Sequence, residues 1–419
     1  MEYGYLYILI ASLLSLALAF SVGANDLANI MSTTMGSKAV TVRQAMLIAV
    51  VFEFAGAFLG SHGVTETLQS GIIDTKLLVD HADIFIFGML SALTGSTLWM
   101  LAASALGLPV SITNAIVGSI VGFGVIILGV HAVHWQQISY IAISWLASPT
   151  LSAAVAYILF VSVQRLIFDT SEPLAKALRY LPFYFFLVGF VLGDMILLKG
   201  FKNFSVVLSF WQAWLIATAS GLVIMFIGRH LIHRLPSARE QEELQSDRFA
   251  SIEKMFAILM GFTACAMVFA HGSNDVAIAI GPLSAVVHTV EQVHPWHPNL
   301  FLQHKLVALG CCGILLGLFM YGKKVIATVG TGITALTPSR AFAATLAAAM
   351  TVILSTSTGI PVSATQTLVG AVLGVGLARG IGALNLAVVR NIIMSWIFTL
   401  PAACALTIVF FMIYSRLFV

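Results

Sequence analysis

Charged residues are scarce in this sequence. Asp, Glu, Lys and Arg make up only 9% of the 419 residues, and hydrophobic residues make up 59%, whereas soluble domains are about a quarter charged. This scarcity excludes a soluble globular protein. At about 20 residues per membrane-spanning helix, about 12 spans fit in the chain and leave room for loops and breaks. The composition predicts an all-α integral membrane protein of the cell membrane, with about 12 transmembrane helices in the lipid bilayer.

Cysteine is also rare, and the four cysteines do not have the spacing of a disulfide framework or a metal site. The net charge of +3 is spread over short loops, so nucleic acid is not an expected partner. No Ser-His-Asp, paired-glutamate or phosphate-loop pattern is present. The sequence therefore predicts neither an enzyme nor a protein with a cofactor or a structural metal.

Two polar motifs interrupt the long apolar runs. The first is SVGANDLAN at residues 21–29, and the second is AHGSNDVAI at residues 270–278, which lies 249 positions later. A carboxylate inside a hydrocarbon-length segment costs about 2.5 to 3.5 kcal/mol on insertion scales. Because this cost recurs at matched positions, Asp26 and Asp275 indicate an ion or solute site. We expect the first span to break at Gly23, where its motif lies.

A second pair of segments also repeats. Residues 107–124 and 359–376 are identical at 9 of 18 positions at an offset of 252, where chance gives about one or two. Two motif pairs with similar offsets establish an internal duplication. The Pro and polar residues predict a broken or re-entrant helix in each segment. We assign residues 1–233 to the first repeat with additional spans, 234–254 to a cytoplasmic linker loop and 255–419 to the second repeat.

The distribution of Lys and Arg among the loops predicts the orientation of the chain. The N-terminus has none, whereas the loop with Lys38 and Arg43 and the linker loop are basic. Alternation through the spans then places the linker inside and both termini outside, so that the two repeats have inverted topologies. Inverted repeats are the architecture of secondary transporters, which bind substrate and ions near the membrane midplane.

The Asn-Asp motifs and the proline-containing segments supply complementary chemistry. Helix N-termini and hydroxyl groups bind anions, whereas carboxylates, amides and freed carbonyl groups bind cations. The candidate substrate-binding residues are Ser111, Thr113, Ser363, Thr365, Asn25 and Asn274, and the candidate cation-binding residues are Asp26, Asp275, Asn29 and Glu53. The alternative for the Ser and Thr residues is that they only pack at contacts between helices. For Glu53 the alternative is pairing with another helix, and His271 is either a proton relay or a hydrogen-bonded core residue.

The motifs GANDLAN, MGSKAVT, LGLPVS, AHGSNDVA and GIPVS together resemble the inorganic phosphate transporter (PiT) family over nearly the whole chain. That family comprises sodium- or proton-coupled phosphate symporters, so the resemblance implies 12 spans with both termini outside. It also implies a cation and phosphate centre of Asn25, Asp26, Asn274 and Asp275, with Ser111, Thr113, Ser363 and Thr365 lining the anion site. The chain departs from the family pattern at Ile278, where Asn is usual, and at Thr345, where Glu is common.

The sequence thus predicts a transporter that imports inorganic phosphate with sodium or protons by alternating access. A sulfate or metal-phosphate carrier on the same scaffold is the alternative, and an anion channel is a remote one. Hydrogen phosphate donates a hydrogen bond and sulfate does not, so a buried acceptor facing the anion favours phosphate. Asp26 and Asp275 are both candidates for that acceptor. The expected partners are phosphate, the coupling ion and lipid, with a homodimer left open.

Overall fold

The computed structural model describes residues 4–74, 82–203, 209–235, 245–293, 300–329 and 336–417. Nearly all of these residues are helical. In this part of the chain, ten helices are long and apolar enough to cross a membrane, and two further apolar helices are shorter. The chain is therefore an all-α multi-pass membrane protein, as its composition predicts.

The helices of the first half begin with the polar motif and end with two helices that have no counterpart among the described residues of the second half. Their bounds are α1 Gly4–Val22, α2 Ala28–Gly36, α3 Val42–Gly60, α4 His62–Glu66, α5 Ala82–Ala105, α6 Ile112–Phe123, α7 Trp135–Val163, α8 Pro173–Asn203 and α9 Phe210–His233. The described helices of the second half follow the order of the first, without a helix that matches α4. Its helices are α10 Gln245–His271, α11 Ala277–Val293, α12 Leu300–Val329, α13 Pro338–Ser357, α14 Ala364–Ala378 and α15 Leu386–Leu417.

The polar motifs do not break their helices. Helix α1 runs into α2 through a π-helical turn at Gly23–Leu27, and α10 runs into α11 through a matching turn at Gly272–Val276. The expected break at Gly23 is therefore wrong, because the backbone stays helical and only widens. Single π-turns within α-helices are frequent at functional sites.

The two proline-containing segments do form short, interrupted helices. Helix α6 has 12 residues and α14 has 15, so at 1.5 Å per residue each is shorter than the roughly 30 Å hydrocarbon core. Each begins shortly after a proline, Pro109 and Pro361 respectively. Their first turns are buried, so two helix N-termini lie inside the protein.

The linker between the halves is shorter than the sequence suggests. Helix α10 already begins at Gln245, so the last part of the predicted loop 234–254 is helical. Residues 236–244 lie outside the described part of the chain, as do residues 75–81 of the predicted outer loop.

The short helices pack on the opposite repeat. Helix α6 lies against α15, and α14 lies against α7. Gly118 of α6 meets the backbone at Leu400, and Gly370 of α14 meets the backbone at Pro149, where a Cβ atom would collide with the neighbouring chain. Gly118 and Gly370 are 252 positions apart, and Pro149 and Leu400 are 251 apart. The contacts are thus reciprocal, as in a two-fold symmetric interface.

The polar motifs pack in the same reciprocal manner. Helix α1 lies against α12, and α10 lies against α3. Gly23 meets the carbonyl group of Ile314, and Gly272 meets the carbonyl group of Glu53. Ile314 and Glu53 therefore occupy equivalent places in the two halves. The duplicated halves interlock around the two motifs and the two short helices, which all lie together in the buried centre.

Candidate functional site

Asp26 joins the two short helices. Its Oδ2 atom accepts a hydrogen bond of 3.4 Å from the backbone N–H of Ile112, the first residue of α6. Its Oδ1 atom accepts a bond of 3.1 Å from the hydroxyl of Thr365, in the first turn of α14. The side chain is 1% exposed. The π-turn at residues 23–27 thus places a carboxylate between two helix N-termini from different repeats.

The two short helices begin in the same way. Ser111 caps α6 by accepting from the N–H of Asn114 at 3.3 Å, and Ser363 caps α14 by accepting from the N–H of Gln366 at 3.1 Å. A side-chain cap satisfies one of the N–H groups that a helix N-terminus leaves without an intrahelical partner. Both ends keep the partial positive charge of the helix dipole. The hydroxyls of Ser111 and Ser363 therefore shape the two helix ends.

Thr113 of α6 reaches across to the other repeat. Its hydroxyl donates to the carbonyl oxygen of Val362, just before α14, at 2.8 Å. The same carbonyl accepts a bond of 2.7 Å from the Nδ2 atom of Asn274, and the Val362 N–H donates to the Oδ1 atom of Asn274 at 3.2 Å. Asn274 therefore fixes the segment that leads into α14 through two hydrogen bonds to Val362. The bond from Thr113 to the same residue joins the starts of α6 and α14.

Two hydrogen-bonded amides, Asn25 and Asn29, lie on either side of Asp26 in the first motif. The Nδ2 atom of Asn25 donates to Ser104 Oγ at 3.0 Å and to the carbonyl of Leu108 at 3.1 Å. The Nδ2 atom of Asn29 donates to Asn25 Oδ1 at 3.2 Å. The Oδ1 atom of Asn29 is buried and has no hydrogen-bond partner among the described residues. One turn further on, Thr33 shares a hydrogen bond of 3.1 Å with Thr345.

The second motif differs from the first. Asp275 Oδ2 accepts a bond of 3.1 Å from the Nδ2 atom of Asn274, but Asp275 Oδ1 is buried and without a partner in the described structure. Ile278 stands in the place of Asn29, 249 positions later. Asp26 bonds the starts of both α6 and α14, and Asp275 is linked through Asn274 to Val362, just before α14. The two carboxylates thus share one site but have different surroundings.

Glu53 and His271 form a fully buried ion pair. The Nδ1 atom of His271 lies 2.8 Å and 3.0 Å from the two carboxylate oxygens of Glu53, and its Nε2 atom lies 3.7 Å from Asp275 Oδ2. The side chains of Glu53 and His271 are 0% exposed. Glu53, which the sequence proposes as a cation ligand, is therefore paired with another helix, and its cation role stays a prediction.

Gln366 is a site residue that the sequence reasoning leaves out. It lies in the first turn of α14, 3% exposed, and its Oε1 atom has no partner among the described residues. Gln366 stands where the first repeat has Asn114, so both repeats place an amide at this position. That match within the duplicated segment is the signal that could have revealed it.

Comparison with known proteins gives a consistent result. A sequence profile of the phosphate transporter family matches residues 22–407. A Haemophilus influenzae protein named a putative phosphate permease is 46% identical over 417 residues, which cover 100% of this chain and 99% of the relative. The Arabidopsis thaliana protein named inorganic phosphate transporter 2-1, chloroplastic, is 36% identical over 96% of this chain and 71% of its own. The solved structure of a sodium-dependent phosphate transporter, 35% identical, has a TM-score of 0.87 and covers 99% of this chain and 100% of its own.

Proposed function

Because the chain belongs to the phosphate transporter family, we propose that it imports inorganic phosphate together with a cation, by alternating access. The observation that carries the proposal is the position of Asp26, which is buried and bonded to the N-termini of both short helices. Such a centre combines the ligands of an anion and a cation. Membership of a transporter family also agrees with the sequence, in which no catalytic pattern was found.

The anion part of the site is formed by the two helix starts. The N-termini of α6 and α14 carry partial positive charge, and their N–H groups bind anions without a dedicated cage. Thr113 and Thr365 add hydroxyl groups to the same place, while Ser111 and Ser363 cap the two helices. The small tetrahedral phosphate ion fits this pair of facing ends because each helix can bind different oxygens of the same anion.

The cation part lies on the first motif. Sodium prefers oxygen ligands, as other hard cations do. Asn29 offers a buried Oδ1 atom that lacks a partner in the described chain, and Asp26 offers a carboxylate within the same helical segment. The negative charge of Glu53 is balanced by His271. The similar solved structure is that of a sodium-dependent transporter, so sodium is the first coupling ion to test and the proton is the second.

The mechanism follows from the duplication. The substrate lies between helices contributed by both repeats, so a movement of one repeat against the other can open the site to either side of the membrane in turn. In proteins with inverted repeats this rocking is the usual mode of alternating access. The predicted placement of both termini outside is consistent with such an inversion.

Transport by purified protein in liposomes tests the proposal. An imposed inward sodium gradient should drive uptake of labelled phosphate, whereas an Asp26→Asn or Asp275→Asn variant should fold but show no gradient-driven uptake. Asp194→Asn is the matched control, because Asp194 lies on α8 and lines a separate pocket with residues of α7 and α13 such as Val155 and Met350. This control should transport phosphate at the wild-type rate.

The same preparation separates the competing functions. A proton gradient in place of the sodium gradient identifies the coupling ion. A rate of phosphate uptake that depends on neither gradient would contradict symport and favour an anion channel. Uptake of labelled sulfate, or a strict need for a divalent metal with phosphate, would favour the sulfate or metal-phosphate carrier.

A further inference from the structure

A cleft of about 330 Å³ lies between α7, α8 and α13, and no residue of the central site lines it. Its lining is apolar except for Asp194, Thr351 and Ser357. Ligand sites are typically clefts of at least about 300 Å³, lined by apolar side chains and a few polar groups. Leu151 and Leu354 line the cleft and are 44% and 62% exposed, so the cleft opens to the hydrocarbon of the bilayer.

Helix α8 supplies an acidic residue to this apolar lining. Leu187, Phe190 and Asp194 all line the cleft, and their spacing of three and four positions places them on one face of α8. A neighbouring face of α8 packs tightly on α9, where a Cβ atom at Gly193 would collide with Ser220. The close packing on α9 therefore fixes the rotation of α8 that holds Asp194 at the cleft.

The carboxylate of Asp194 has no partner in the lining. It forms no ion pair or hydrogen bond with any described residue. The hydroxyls of Thr351 and Ser357 donate to backbone carbonyl groups of their own helix, at 2.8 Å and 2.7 Å, and so supply no donor. An ionisable residue in a membrane-spanning helix is costly unless a partner stabilises it. The partner of Asp194 therefore comes from outside the lining, and it carries positive charge or a hydrogen-bond donor.

The duplication explains why the cleft is open. In the first repeat, Trp99 stands 252 positions before Thr351, and its Nε1 atom donates to the hydroxyl of Thr399 on α15 at 3.0 Å. The equivalent pair is Thr351 of α13 and Ser148 of α7, which stands 251 positions before Thr399. The buried hydroxyl of Ser148 has no partner among the described residues. Thr351 thus replaces an indole ring, and the space that this ring fills in one place is left open in the other.

The polar end of the cleft lies near a membrane surface. Asp194 precedes the end of the apolar span Pro173–Ile196 by two residues, and Ser357 is the last residue of the span Pro338–Ser357. Both residues line one small cleft, so these two span ends lie at the same side of the membrane. A molecule in the cleft therefore meets a carboxylate at the level of the lipid head groups and apolar side chains below it.

We propose that the cleft binds a phospholipid whose head group carries a protonated primary amine, as in phosphatidylethanolamine. The ammonium group donates hydrogen bonds to Asp194 and balances its negative charge, while an acyl chain covers the apolar lining. The head group of phosphatidylcholine is positive but has no N–H donor, and that of phosphatidylglycerol has no positive charge. The cleft therefore selects the amine by charge and hydrogen bonding together.

Lipid titration of the purified full chain in detergent, followed by native mass spectrometry, tests the proposal. The three lipids are phosphatidylethanolamine, phosphatidylcholine and phosphatidylglycerol with identical acyl chains. The wild type should bind one molecule of phosphatidylethanolamine with a Kd at least about tenfold lower than that of the other two, because a hydrogen bond to a charged group contributes at least this factor. In Asp194→Asn this preference should disappear, and the Kd of phosphatidylethanolamine should rise to that of phosphatidylcholine.

Asp83→Asn is the matched control, because Asp83 is an exposed acidic residue at the start of the apolar span Ala82–Ala105 and does not line the cleft. It should keep the lipid preference of the wild type. Thr351→Trp, which copies the residue of the first repeat, should fill the cleft and weaken the binding of phosphatidylethanolamine at least about tenfold.

Equal affinity of the wild type for the three lipids, or a preference that survives in Asp194→Asn, would overturn the proposal. An equal loss of preference in Asp83→Asn would also overturn it, because surface charge alone would then explain the binding. If Thr351→Trp does not fold, the comparison of the wild type with Asp194→Asn decides the question alone. The cleft shares no lining residue with the central site, so these lipid affinities do not depend on the proposed transport function.

Discussion

At the scale of single residues, the centre shows how a duplicated sequence becomes unequal. The pair Glu53 and His271 beside one motif corresponds to Ile314 and Val22 beside the other. All four side chains are fully buried, but the first two form an ion pair and the other two are apolar. A buried ion pair is often no more stabilising than an apolar pair of similar volume, yet removal of one partner is strongly destabilising.

This comparison predicts a double-mutant cycle. Glu53→Ile or His271→Val alone should lower the free energy of unfolding by about 3 to 5 kcal/mol, because each leaves an unpaired buried charge. The double variant, which has the two apolar residues found beside the first motif, should lose much less than the sum of the two single losses. Thermal unfolding in detergent measures the three variants. Additive losses would show that the two side chains do not depend on each other.

At the scale of elements, the short helices depend on their caps. Ser363 caps α14 at the proposed substrate site, whereas Thr41 caps α3 in an exposed loop by accepting a bond from the N–H of Gln44. Loss of a Ser or Thr cap costs about 1 kcal/mol. The two caps are thus similar in their local energetics but different in location.

The expected result is a separation of stability from binding. Ser363→Ala and Thr41→Ala should lower the unfolding free energy by similar amounts of about 1 kcal/mol. Only Ser363→Ala should weaken phosphate binding, because it alters the orientation of a helix end at the anion. Isothermal titration with phosphate checks this expectation, and weaker binding in Thr41→Ala would argue against a local effect.

The close crossing of α14 and α7 is a second property of elements. A Cβ atom at Gly370 would overlap the backbone at Pro149, whereas a Cβ atom at Gly382 has nothing within 4 Å. Forcing an extra group into a packed interior costs about 1 to 3 kcal/mol. Gly370→Ala should therefore reduce thermal stability and expression by this mechanism, and Gly382→Ala should leave both unchanged. Equal thermal stability of the two variants would mean that α14 and α7 can move apart without a loss of unfolding free energy.

At the scale of the whole molecule, the two halves are not independent units. Helix α6 packs on α15, α14 packs on α7, and the motif helices α1 and α10 pack on α12 and α3 of the opposite half. Asp26 of the first repeat bonds Thr365 of the second. Each half therefore buries surfaces and polar groups that only the other half can satisfy.

Division of the chain between α9 and α10 tests this dependence. Residues 1–235 and residues 245–419, expressed separately, should give no phosphate uptake, because each half leaves buried polar groups exposed to lipid. Expressed together, they should assemble and transport phosphate. Transport by one half alone, as a dimer of identical halves, would contradict the need for unequal motifs.

The sequence alone determines the membrane class, the helical fold, the duplication and the polar residues of the centre, because composition and repeat offsets reflect the cost of placing polar groups in lipid. It predicts that Ser111 and Ser363 lie at helix starts, since proline and small polar residues end and cap helices locally. It does not predict the π-turn in place of a break at Gly23, because both conformations suit the same local residues. Only the tertiary structure decides that Glu53 pairs with His271, 218 positions away, and that Asp275 Oδ1, unlike either oxygen of Asp26, has no hydrogen-bond partner among the described residues. Hydrogen-bond partners in the centre come from helices of both repeats, and their positions depend on how the interlocked halves pack.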